Sequence, residues 1–143
     1  MIKVVRHTGI VVRDIEKSTD FYCALGFVKD NQAIEEGNFI DTIVGLQNTK
    51  LEWVKLKAPD GYLLELLQYH SHPESTEITQ QKSNKLGCSH MAFSVDNIDR
   101  ICEKIEQLGG FVINPPALTN DKKIKVAYCH DLEGVLMEIV EVL

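Results

Sequence analysis

The chain has 143 residues and a mass of 16.1 kDa, enough for one core or two small modules sharing one. Its 44% apolar and 25% charged residues exclude the disordered and fibrous classes. A formal charge of −6, with no basic block beyond the short "DKKIK" of 121–125, argues against a nucleic-acid partner, and no apolar run reaches membrane-spanning length.

In chain order, "MIKVVRHTGI" passes directly into a strand-like pattern, without the separate basic and apolar regions of a secretory leader. The apolar run "IVV" after His7 suits a strand. Asp14 is then placed to cap a helix carrying Ile15, Tyr22 and Leu25, which Gly26 stops. The segment 31–61 reads as strand-like patches and turns, with Trp53, Phe39 and Tyr62 as core or cleft aromatics. "DGYLLELLQY" (60–69) then forms a strand with Glu65 inside an apolar run. The polar stretch 70–87 is a loop or short helix, in which His70 and His72 are exposed.

After it the pattern returns. His90 precedes the strand-like "AFSV", Asn97 is a helix cap, and Ile98, Ile101, Ile105 and Leu108 form one apolar helix face ended by Gly109. His7 and His90 lie 83 residues apart, as do Ile15 and Ile98, and Gly26 and Gly109; an extra Gly then sets Phe27 opposite Phe111. At the ends of the halves, Gly61 and Gly134 lie 73 residues apart, as do Glu65 and Glu138. The chain is therefore two copies of one module, each strand, helix, then about three strands. We divide it as a single domain, 1–143, with module 1 at 1–70, a linker at 71–87 and module 2 at 88–143. His130, just before the last turn, is read as a surface residue or as support for a site.

An isolated carboxylate among Leu63, Leu64, Leu66 and Leu67 needs a compensating donor or cation. On alternation, Glu65 shares a face with Leu63 and Leu67, and Glu138 with Leu136 and Val140, so both acids are expected to point inward. Each His hydrogen-bonded to a Glu would satisfy them singly. Four such residues at matched repeat positions favour a divalent metal held by His7, Glu65, His90 and Glu138. An all-nitrogen and oxygen set suits Zn, Ni, Co, Mn or Fe in a working site better than a structural thiolate zinc. The scattered Cys23, Cys88, Cys102 and Cys129 read as reduced, buried thiols of a cytoplasmic protein, with Cys88 notable for lying two residues from His90.

The segments "HTGIVVRDIEKSTDFYCALGF", "PDGYLLELLQY", "SHMAFSVDNIDRICEKIEQLGG" and "DLEGVLMEIVEV" together resemble the vicinal oxygen chelate superfamily, over nearly the whole chain. That resemblance implies an α+β fold of two paired βαβββ modules forming an open, U-shaped barrel around one metal ion. It also implies a small-molecule substrate that chelates the ion through neighbouring oxygens, and a homodimer whose modules pair within one chain or between two.

The His/Glu/His/Glu set looks most like glyoxalase I, a lyase that isomerises the hemithioacetal of methylglyoxal and glutathione. The resemblance implies proton abstraction through a metal-stabilised enediolate, with Glu138 as first choice of base and Glu65 as second. Arg6 and Arg13 are candidates for holding glutathione's carboxylates. A methylmalonyl-CoA epimerase-like enzyme is the alternative, and Glu35 or Glu36 would be its extra base. An extradiol dioxygenase and a non-enzymatic antibiotic-binding protein follow.

Overall fold

The computed structural model describes residues 1–76 and 82–143. The chain divides into two compact units, Met1–Thr76 and Glu77–Leu143. Each is a mixed α+β module, and the repeat extends to individual hydrogen bonds.

Unit 1 begins with strand β1 (Thr8–Val11), followed by helix α1 (Ile15–Ala24) and strand β2 (Val28–Glu36). Helix α2 (Asn38–Val44) and strands β3 (Lys50–Lys57) and β4 (Leu63–Tyr69) complete it. The sheet order is β1-β4-β3-β2, with β1 parallel to β4 and the other pairs antiparallel. Helix α1 starts where the sequence places it. Asp14 Oδ1 accepts the Lys17 amide at 3.0 Å, a bond that also holds the Asp14 carboxyl below the usual range. Gly26, at φ 113°, takes the chain out of the helix in a conformation open to glycine.

Ile15, Ser18, Phe21 and Tyr22 are the buried face of α1, and Val54, Leu56, Leu64 and Leu66 are almost fully enclosed on the sheet beneath. Each such aliphatic side chain contributes roughly 1.5–3 kcal/mol relative to exposure. Gln68, on the same side of β4 as Leu64 and Leu66, accepts the Ile15 amide at 2.9 Å. The even-numbered side chains of β4 thus face α1.

Unit 2 has strand β5 (Met91–Ser94), helix α3 (Ile98–Gln107) and two short strands, β6 (Phe111–Val112) and β7 (Ala117–Leu118). Strands β8 (Ile124–His130) and β9 (Leu136–Val142) follow. The order is β5-β9-β8-β6, with β7 also on β8. Asn97 accepts the Arg100 amide as Asp14 does that of Lys17. Glu141 accepts the Ile98 amide at 2.9 Å, as Gln68 does that of Ile15. The parallel pairs share one register: Thr8 opposes Leu64, and Met91 opposes Met137.

Several expectations are corrected. The segment 31–61 contains α2, begun by Gly37 without a side-chain cap, rich in β-branched residues, and seated by the buried Ile40. Unit 2 has two edge pieces where unit 1 has one continuous β2, because Pro115 and Pro116 between them lack backbone donors. The helix-end bond from the Phe27 amide to Tyr22 is matched by that from Gly110 to Ile105, so Phe27 corresponds to Gly110 and not to Phe111. On α3 the enclosed residues are Ile98, Cys102 and Ile105, with Ile101 half-buried. Cys88 is exposed, and it and His90 precede β5 instead of alternating within it. Phe39 is exposed, and His130 is buried with its ring stacked on Phe111. The loop or short helix expected over 70–87 lies partly outside the described residues; its described ends contain no regular element.

Candidate metal centre

The two acids stand on corresponding strand positions. Glu65 opposes Gly9 on β1 and Lys55 on β3, while Glu138 opposes Ala92 on β5 and Tyr128 on β8. Because the even side of β4 faces α1, Glu65 lies on the other face, with Leu63 and Leu67. Those neighbours are half-buried, not enclosed, which corrects the expectation of an acid among core leucines. In β9 the Glu141 contact likewise sets Met137, Ile139 and Glu141 towards α3 and Glu138 on the opposite side. Side-chain exposure is 14% for Glu65 and 25% for Glu138, so both keep part of their hydration.

Each acid meets the histidine that precedes its parallel neighbour. His7 Nε2 lies 3.1 Å from Glu65 Oε2, and His90 Nε2 lies 3.1 Å from Glu138 Oε2. The same two atom types at the same distance recur in both units. Around them the copies differ. Lys55 Nζ approaches Glu65 Oε1 at 3.5 Å, whereas Tyr128, at the matching position, sets its ring edge-on to His90 with centroids 5.2 Å apart. Within either unit, no group of three or more His, Cys, Asp or Glu side chains forms a metal cluster among the described residues.

The proton inventory at His90 tests whether a metal suits the pair. Ser89 Oγ donates to the Ser83 carbonyl at 2.8 Å, so towards His90 Nδ1, 3.1 Å away, it can only accept. Nε2 faces the Glu138 carboxylate oxygen at a spacing that either a shared ring proton or a divalent ion between the two atoms satisfies. Two ligands at 2.0–2.2 Å from one ion, subtending 90–109°, are themselves separated by about 3.0–3.5 Å. The observed spacing meets that condition, and Ser89 Oγ lies 3.1 Å from the remote ring nitrogen of His90. The donor set fits a divalent ion.

The remaining candidates are dispersed. His70 Nε2 is held by Glu52 Oε2 at 2.8 Å, and His72 Nδ1 by Ser71 Oγ at 2.7 Å. Glu35 accepts the Trp53 indole N–H at 2.8 Å, and the exposed Glu36 lies 3.7 Å from Lys50. Tyr62 hydroxyl bonds to Thr8 Oγ1, beside His7. Arg6 and Arg13 are exposed. The residue missed in the sequence is Lys55. Its signal was its place ten residues before Glu65, the hairpin spacing that Tyr128 repeats before Glu138.

Comparison with known proteins places these features. Residues 4–139 match the family model described as Glyoxalase/Bleomycin resistance protein/Dioxygenase superfamily. The chain is 28% identical over 151 aligned residues to a lactoylglutathione lyase of Pseudomonas putida, covering 96% of this chain and 84% of that protein. It is 27% identical over 137 residues to a probable lactoylglutathione lyase of Synechocystis sp., covering 94% and 92%. Among solved structures, a glyoxalase family protein from Bacillus cereus gives a TM-score of 0.90 at 23% identity, over 99% of this chain and 97% of that one. A fosfomycin resistance protein from Listeria monocytogenes, solved with Mn(II) and 1S,2S-dihydroxypropylphosphonic acid, gives 0.65 at 16% identity, over 97% and 90%. At these identities the structural likenesses bear on the fold alone.

Proposed function

Starting from the chain's membership of the Glyoxalase/Bleomycin resistance protein/Dioxygenase superfamily, we propose a metal-dependent lyase or isomerase of the glyoxalase I kind. Its substrate is a small molecule with neighbouring oxygens. The observation that carries this reading is the repeated pair: one imidazole Nε2 and one carboxylate oxygen at 3.1 Å in each unit, at the same strand register. His7 and Glu65 form one half of the ligand set and His90 and Glu138 the other, supplied by one chain or by two copies. Zn, Ni, Co, Mn and Fe all accept such donors. A divalent ion held there supplies Lewis acidity to the substrate's adjacent oxygens.

The chain's own part is to move a proton between neighbouring substrate carbons. Glu138 is the favoured base. Its carboxylate is engaged by His90, whereas Glu65 is engaged by both His7 and Lys55, so Glu138 has fewer contacts to break before swinging towards a C–H bond.

The test is metal content after purification without added metal, and after offering Ni, Co, Zn, Mn and Fe, for the wild type, Glu65→Gln and Glu138→Gln. About one ion per site, weakened in both variants, is expected. The hemithioacetal of methylglyoxal and glutathione is then assayed, with Glu138→Gln losing at least 100-fold in kcat. A wild type that takes up none of these ions overturns the reading and leaves a ligand-binding protein.

A further inference from the structure

Lys55 breaks the symmetry of the repeat. On the sheet faces that carry the paired acids, unit 2 presents an aromatic phenol, Tyr128, opposite Glu138; unit 1 presents an ammonium opposite Glu65. The lysine side chain is 28% exposed, and its ammonium stands within ion-pair range of Glu65. Glu65 engages it only in part. The Nζ–Oε1 separation of 3.5 Å exceeds the 2.7–3.2 Å of a good N–H···O hydrogen bond, and Glu65 is also claimed by His7. Lys125, the comparably half-buried lysine of unit 2, is instead tied to Asp99 at 2.5 Å.

The position of Lys55 is also supported from below. Its ammonium stands 4.6 Å from the Trp53 ring centroid, within cation–π range, and the Trp53 indole is locked by its bond to Glu35. A cation resting on a fixed aromatic plane keeps donors available to a third group. When Glu65 is engaged by a divalent ion, its charge no longer compensates the lysine, and the positive charge beside the centre is in excess by one.

We propose that Lys55 is a substrate-binding residue that takes an anionic oxygen group, phosphoryl or carboxylate, carried next to the substrate's chelating oxygens. The proposal deepens the metal-centre reading and rests on it. Within that reading it narrows the substrate class to small hydroxy- or oxo-compounds that carry an anionic group.

Trp53 is the chain's single tryptophan, so its fluorescence reports on this position directly. Wild type, Lys55→Met and Lys55→Arg would each be titrated with Co(II), read by visible absorption. The Zn(II)-loaded proteins would then be titrated with dihydroxyacetone, dihydroxyacetone phosphate and hydroxypyruvate, read by Trp53 emission. Lys55→Met is expected to bind Co(II) and to keep dihydroxyacetone within about twofold. It should weaken at least one of the two anions tenfold or more, with Lys55→Arg recovering most of the loss. The anion that loses more identifies the group as phosphoryl or carboxylate. Equal losses for charged and uncharged ligands, or no loss for either anion, overturn the proposal. If wild type binds no Co(II), the metal reading falls separately. Inorganic phosphate on the metal-free protein then decides: a Trp53 response abolished in Lys55→Met retains the anion site, and no response removes it.

Discussion

The second cap on each helix offers a prediction with an internal control. Gln68 and Glu141 occupy equivalent strand positions and accept the first amide of α1 and α3, both at 2.9 Å. One acceptor is a neutral amide and the other a carboxylate. Ile15 and Ile98 are 3% and 0% exposed, so water has little access to replace a lost partner. Gln68→Ala should therefore cost about 1 kcal/mol, the usual net worth of a neutral hydrogen bond, and Glu141→Ala about 2 kcal/mol, with the added charge and helix-dipole contribution. Glu141→Gln keeps an acceptor and should lose less than about 1 kcal/mol. Since the chain has two units, amide exchange at Ile15 and Ile98 is a sharper assay than a global melt. At about 1.4 kcal/mol per tenfold, Glu141→Ala should speed exchange at Ile98 by roughly 30-fold and leave Ile15 unaffected. Unchanged protection at Ile98, or Glu141→Gln as damaging as Glu141→Ala, would refute the reasoning.

Two further outcomes follow from packing. A Cβ added at Gly110 would lie 2.7 Å from the His130 carbonyl oxygen and 2.7 Å from Ile105 Cγ2, so Gly110→Ala should destabilise by about 1–3 kcal/mol in urea unfolding; a neutral variant would contradict the close packing of α3 on β8. Burial pushes the Cys129 thiol up to about 12 from 9.0. The folded state therefore favours the neutral thiol, and this contribution is intact below pH 9 and declines by up to about 1.4 kcal/mol per pH unit as pH rises towards 12. Urea midpoints of wild type and Cys129→Ala, compared between pH 8 and 11, should converge. In native labelling the exposed Cys88 should react first, with Cys102 and Cys129 reacting only on unfolding.

Much of the module was legible because its signals are local. Asp14 and Asn97 cap helices, Gly26 and Gly109 end them, and two offsets relate the halves. The pairing of His7 with Glu65 and His90 with Glu138 within each unit follows from the same offsets combined with parallel strands. The facing of Glu65 was not legible. "LLELL" places leucine on both sides of the strand, so alternation could not tell the helix-covered face from the other; Gln68, through its bond to Ile15, decides it. Helix α2 was hidden by its β-branched residues and by the lack of a side-chain cap. Lys55 was missed because its partner lies across a hairpin, and its ten-residue spacing from Glu65 becomes a signal only once β3 and β4 are known to pair.

The interrupted outer edge of unit 2 has a consequence for how the chain behaves in company. A sheet edge is a row of unspent donors and acceptors on which a foreign strand can grow. In unit 2 that row is cut into two pieces of two residues, β6 and β7, with Pro115 and Pro116 between them, so no incoming chain finds a continuous template. Unit 1 keeps a nine-residue edge in β2, bulged between Lys29 and Asn31, and there Lys29, Asp30, Glu35 and Glu36 impose charge on any strand that approaches. These two edges thus resist sheet growth by different chemistry, one by withholding backbone donors and the other by the desolvation cost of its acids and lysine.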